Sequence, residues 1–203
     1  MLTPGTKRKV ILVTDGDLIA KKAVEEAARN IGGRCISASA GNPTPIPGSK
    51  VVELIMSAPY DPVVVMVDDK GSCHKGKGER VLEYVVNHPD VEVIGVVAVA
   101  SNTDSTLGTP VDCAVNKKKE IIAGQVDKSG EKISDAKIVL GDTVDVIRAL
   151  QGKTAAFVVG IGDIGKMDGR DDPLEGAEVT TKALKLVIAE WQKKNNFANA
   201  PEK

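Results

Sequence analysis

The chain has 203 residues, 27 Lys and Arg against 28 Asp and Glu, a formal net charge of −1 and 42% hydrophobic residues. This is an ordinary globular composition, long enough to bury roughly 70% of its unfolded surface. Its five aromatic residues (Tyr60, Tyr84, Phe157, Trp191 and Phe197) and balanced charge disfavour nucleic-acid binding, which stacks bases on aromatics along a basic groove.

Lys9–Thr14 is a β-branched run that stops at the turn signal Asp15-Gly16-Asp17, and so predicts a first strand. Asp17 is placed to cap a helix over Leu18–Asn30, where Ala23, Val24, Ala27 and Ile31 recur at helical spacing and Gly32-Gly33 closes the end. Arg34–Ser37 predicts a short second strand, followed by a loop that Pro43, Pro45 and Pro47 stiffen. Ser49 is the expected cap of a helix to about Ser57. Val63–Val67 is continuously apolar, as in a strand covered on both faces. A helix over Glu79–Asn87 and a strand over Val91–Ala100 follow. That last apolar stretch is far shorter than the roughly 20 residues of a membrane-spanning helix. The start, MLTPGTKRKV, has no signal-peptide core.

Beyond residue 100 the rhythm changes. Asp112–Asn116 and Glu120–Val126 predict an antiparallel hairpin, extended by a second turn at Asp127–Gly130. A helix near Asp142–Leu150, a strand over Ala155–Val159, a glycine-rich loop and a helix over Thr180–Lys194 complete the pattern. The expected fold is α/β: one open, mostly parallel, Rossmann-like sheet with helices on both faces, carrying an antiparallel hairpin insertion around 111–130. The whole chain is expected to be a single domain, with flexible tails at about 1–7 and 195–203.

Ligands of open parallel sheets bind beyond the carboxyl ends of the strands. There this sequence concentrates carboxylates: Asp15, Asp17, Asp68, Asp69 and Asp163. Like charges about 5 Å apart repel by roughly 3 kcal/mol at an effective dielectric near 20. Convergent carboxylates would therefore need a cation, a lysine such as Lys70 or Lys166, or raised pKa values. Hard oxygen ligands on glycine loops suit magnesium or calcium. The alternative is that Asp17 caps its helix while the others face water or pair with lysines. Candidate ligand-binding residues on the same rim are Asn42, Ser101, Asn102, Gly160, Gly162, Gly165 and Lys166. Backbone N–H groups of such loops can cradle an anion.

Gly160–Gly165 spells G-x-G-x-x-G but leads into turn residues rather than a helix, against a dinucleotide fold. Gly71–Gly78 lacks the P-loop spacing. Cys35, Cys73 and Cys113 lack C-x-x-C pairing and predict free thiols in a reducing compartment. Cys73-His74 has no companion ligands at zinc spacing. No catalytic constellation emerges, which inclines the reading away from an enzyme.

Five strings carry a resemblance: VILVTDGD (Val10–Asp17), IGGRCISASAGNPTP (Ile31–Pro45), DPVVVMVDDKG (Asp61–Gly71), HPDVEVIGVVAVASNT (His88–Thr103) and VVGIGDIGKMDGRDD (Val158–Asp172). Together they resemble stage V sporulation protein AE, the soluble AEa-type component of Gram-positive endospore formers, over roughly residues 8–190. The resemblance implies a role in sporulation and germination, in moving calcium-chelated dipicolinic acid into the spore and releasing it. It implies a cytoplasmic protein held peripherally at the forespore or spore inner membrane by other stage V sporulation proteins, membrane and soluble. It carries over no catalytic residue. The competing expectation is a magnesium-dependent phosphoryl-transfer or nucleotide-binding protein using the Asp rim.

Overall fold

The structure is a computed structural model that describes residues 6–70, 76–101, 108–140 and 156–198. Strand β1 (Arg8–Val13) leads to helix α1 (Leu18–Asn30), β2 (Arg34–Cys35), α2 (Gly48–Ser57), β3 (Val63–Met66), α3 (Lys77–Val86) and β4 (Val91–Val99). Short strands follow: β5 (Thr109–Pro110), β6 (Cys113–Val115), β7 (Ile121–Ile122), β8 (Gln125–Val126), β9 (Lys132–Ser134) and β10 (Ile138–Val139). Strand β11 (Phe157–Ile161) and helix α4 (Glu178–Ala198) complete the described elements.

Seven strands form an open sheet in the order β2-β3-β1-β4-β11-β6-β7, all neighbours parallel except β6 and β7. The fold is therefore the expected α/β sheet with helices on both faces. Strand alternation divides the core into two layers. Ile11 and Val13 pack with Ala20, Ala23, Val24 and Ala27 of α1 and with Ala183, Leu184 and Val187 of α4. Val10 and Leu12 pack with Val51 and Ile55 of α2 and with Val81, Leu82 and Val85 of α3. Gly95 lets α4 lie close on the sheet, since a Cβ there would stand 2.4 Å from Val187 Cγ1.

Several boundaries differ from expectation, each for a local reason. α2 begins at Gly48 with Pro47 at the N-cap, so Ser49 lies inside the first turn instead of capping it. β2 has only two residues because Ser37–Ser39 turns into a 3-10 helix, whose buried Ser39 hydroxyl accepts from the Met66 N–H. β11 runs through Gly160 and Ile161, two residues further than the apolar run suggested. α4 begins at Glu178 and continues past Lys194 to Ala198.

The hairpin of β6 and β7 is the antiparallel edge of the main sheet, joined to it through the parallel β6–β11 pair. The second turn belongs to a separate antiparallel pair, β8 with β9. The helix expected near Asp142–Leu150 lies outside the described residues.

In the sheet, the connection from β1 runs to β2 at one edge, whereas β6, the next strand after β4, lies on the other side. The carboxyl ends of β1 and β4 thus flank the switch point, where open α/β sheets hold their ligands.

Candidate functional site

At that switch point the backbone opens a cleft of about 180 Å³. Thr14 builds its floor by stitching the strand ends together: its N–H donates to Val97 O (3.1 Å) and its Oγ1 accepts from Val99 N–H (2.9 Å). The chain then turns through Asp15 and Gly16. A Cβ at Gly16 would stand 2.6 Å from Gly41 O, so only glycine lets the proline loop pass this close. That loop contains a cis Asn42–Pro43 bond. Thr44 anchors it to the end of β3, with its N–H donating to Asp68 O (2.9 Å) and its Oγ1 accepting from Asp68 N–H (2.9 Å).

Asp15, Asp17, Asp68 and Asp163 all line the cleft, together with Asn42, Ser101, Lys128 and the end of β4. Four of the five predicted carboxylates are therefore brought together. Asp69 is not among the cleft-lining residues. It is buried against α3, and its Oδ1 accepts from Gly78 N–H (2.6 Å) and its Oδ2 from Glu79 N–H (3.1 Å) at that helix's first turn.

Of the predicted ligand-binding residues, Asn42 and Ser101 line the cleft, and Asn102 lies outside the described residues. The three glycines make close contacts within the protein. A Cβ on Gly160 would meet Val139 Cγ2 at 2.5 Å, and one on Gly162 would meet Gly130 N at 2.6 Å. Gly165 (φ +74°) sits 2.7 Å from Ile19 Cγ2 by the same measure.

The electrostatics follow from burial and from one lysine. Lys166 Nζ donates to Asp17 Oδ2 (2.9 Å) and to both oxygens of Asp163 (3.0 Å each). Burial alone would lower its pKa, but those bonds outweigh burial and raise it. Asp17 has two roles. Its Oδ1 accepts from Ile19 and Ala20 N–H (2.8 Å each) as the α1 cap, while its Oδ2 takes the lysine. Burial opposes ionisation there, yet the helix N–H groups and Lys166 hold its pKa below the ordinary value.

Among the described residues, no lysine bonds to Asp15. Burial first, then the charge of Asp17 and more weakly those of Asp163 and Asp68, push its pKa up to about 7. Its one bond from the Asp17 N–H is long, at 3.3 Å. Asp17 thus caps its helix and shares Lys166 with Asp163, while the crowding of carboxylates appears as the raised pKa of Asp15.

Two residues that sequence reasoning did not single out hold the site together. Lys128, in the turn between β8 and β9, lines the cleft, and its carbonyl accepts from Asp163 N–H (2.7 Å). Asp171 is wholly buried; its Oδ2 accepts from Gly165 N–H (2.9 Å) and Thr180 Oγ1 (2.6 Å), and its Oδ1 from Thr180 N–H (2.9 Å). It fixes the loop bearing Lys166 to the first turn of α4. The helix-start signature Asp172-Pro173 marks Asp172, which caps the 3-10 helix over Pro173–Glu175, and not Asp171. No local pattern marks Lys128, which reaches the cleft only through the fold.

Among the described residues, no group of three or more His, Cys, Asp or Glu side chains is arranged to hold a metal ion. A cation entering this cleft would meet carboxylates of which two already share an ammonium. Burial pushes the Cys35 thiol up to about 12 and Cys113 to about 11, so neither is a reactive thiolate. Cys73 and His74 lie outside the described residues. No described helix is long and apolar enough to cross a membrane.

The model of the family described as stage V sporulation protein AE1 matches residues 9–190. The chain belongs to that family. The match begins within β1 and ends within α4, so it takes in every residue placed in the cleft. No curated protein and no solved structure matches the chain. Membership of the AE1 family gives the protein a role in sporulation.

Proposed function

We propose that this protein is an accessory, non-enzymatic component of the machinery that moves dipicolinic acid, chelated with calcium, into the developing spore and out again at germination. The observation that carries the reading is the family match over residues 9–190. The protein works in the cytoplasm by contact with other stage V sporulation proteins, membrane-embedded and soluble, which hold it at the inner membrane of the forespore. The carboxylate cleft is the surface through which calcium or its chelate would be sensed. Carboxylates suit the metal side of the chelate, and Lys166 suits a carboxylate of the ligand.

Deleting the gene should lower spore dipicolinate content or slow its release on germination. Unchanged content and unchanged release would remove the proposal. In solution, calcium should raise the protein's affinity for dipicolinate; equal affinity with and without calcium counts against the cleft as the contact.

One observation favours a second reading, a magnesium-binding phosphoryl-transfer or nucleotide-binding protein. Asp15 carries a strongly raised pKa beside three carboxylates, as at many functional sites. Against it stands the volume of about 180 Å³, below the roughly 300–1,000 Å³ of ordinary ligand pockets. Calorimetric titration of magnesium and calcium into the wild type, Asp15→Asn and Asp68→Asn tests the second reading. Absence of metal-dependent heat removes the second reading.

A further inference from the structure

A larger cleft, of about 580 Å³, lies at the opposite end of the sheet, where the amino ends of β4 and β11 meet α4. Buried Val93 and Ile94 give it an apolar floor, and Phe157 and Trp191, two of the chain's five aromatic residues, form its walls. Both of these side chains are half-buried. The indole is held in place: its Nε1–H donates to Glu92 Oε1 (2.7 Å), and the Lys9 ammonium stands 5.3 Å from the ring centroid. Among the described residues that line the cleft, Glu92 is the one carboxylate, and the indole N–H engages it. Lys7 stands exposed on the rim, beside the Lys9 ammonium at the indole. An aromatic ring attracts an ammonium without neutralising it, so this face carries a positive balance in a chain whose total is −1.

We propose that this cleft docks an acidic peptide segment of a partner protein, which seats large apolar side chains on Val93, Ile94, Phe157 and Trp191 and sets a carboxylate against Lys7. Apolar anchors meeting a tryptophan-walled pocket form the energetic centre of many protein contacts. Ammonium groups on the rim steer an acidic segment in and turn a basic one away. A bilayer surface fits less well, because membrane contact needs aromatic side chains that reach outward, and these two line a hollow. The proposal rests on the reading that this protein works by contact with other proteins, and adds which face makes the contact and what chemistry meets it. Dipicolinate has no part in it: the deletion test can fail with this docking intact, and the docking can fail with the deletion phenotype intact.

The probe is a display library of random short peptides, selected on the full-length protein. Enriched sequences should pair Asp or Glu with leucine, methionine or an aromatic residue. Because Trp191 is the one tryptophan, its fluorescence reports on this cleft alone, and a synthetic copy of the most enriched peptide should change it saturably. By calorimetry, affinity should fall about threefold or more in Lys7→Glu, about tenfold or more in Trp191→Ala, and further as salt is raised. Asp15→Asn, in the other cleft, leaves it unchanged. The proposal is overturned by no enrichment, by enriched peptides that are basic or lack apolar residues, or by affinity that Lys7→Glu leaves unaltered. It is equally overturned if phosphatidylglycerol vesicles bind the wild type and not Lys7→Glu, which assigns the face to a membrane. Self-association that rises with concentration and is lost in Lys7→Glu, followed by analytical ultracentrifugation, would assign it instead to a second copy of the chain. Circular dichroism confirms that each variant folds, and exposed Lys7, ahead of β1, keeps the test decisive should Trp191→Ala unfold.

Discussion

Asp15 is held at about 7 instead of its ordinary 3.8, and this makes stability depend on pH in a defined direction. Between those values the folded protein keeps a proton that the unfolded chain has lost, so stability falls as pH rises through the window and levels off above it. Asp15→Asn should abolish that slope and stabilise the protein at pH 8. The shift taken at full weight would correspond to about 4 kcal/mol; part of the side chain stays open to solvent, so roughly 1–3 kcal/mol is expected. Urea unfolding over a pH series measures it, and an unchanged slope in the variant would refute the assignment. Lys166→Met removes the cation shared by Asp17 and Asp163, two of the charges that already act on Asp15. Its carboxyl should then titrate higher still, which a carbon-13 NMR titration of the carboxylates would record. These residues were legible as a class, because Asp and Gly crowd the strand ends. Their division of labour was not, since which oxygen caps a helix and which meets a lysine depends on ångström-scale placement.

Glycines and buried carboxylates set how the elements close around the cleft. A methyl group on Gly162 would collide with the backbone of the β8–β9 turn, whereas one on Gly160 would meet only the Val139 side chain. Both alanine variants should lose about 1–3 kcal/mol, with Gly162→Ala the worse because backbone cannot rotate away. Comparing the two midpoints in urea tests the order. Asp171→Ala leaves the Gly165 N–H and the first turn of α4 without an acceptor, and should cost about 2–3 kcal/mol. Strand and helix order followed from alternation of apolar runs with helical spacing, and α1 with its Asp17 cap falls on the expected residues. The short strands between residues 109 and 139 were harder to read. Two- and three-residue strands carry no usable period, and their pairing comes from the sheet they join.

The molecule as a whole is stabilised from its centre outward. β1, β3, β4 and β11 are flanked by strands on both sides and buried on both faces, so their amides should exchange slowest. Those of β7, at the exposed edge of the sheet, and of β9, largely exposed, should exchange fastest. Native-state hydrogen exchange would show this gradient, and uniform protection would contradict it. The composition alone suggested an electrically even protein with few aromatic side chains. The fold distributes these properties unevenly, with Asp15, Asp17, Asp68 and Asp163 gathered at one end of the sheet and Phe157 and Trp191 at the other. The acidic cleft draws its walls from residues as distant in sequence as Thr14 and Asp163, with Asn42, Asp68, Ser101 and Lys128 between them. During synthesis the first of these leave the ribosome long before the last, and no partial chain can present the cleft. Any partner that bound there would therefore recognise the folded arrangement of these segments and not any one of them alone.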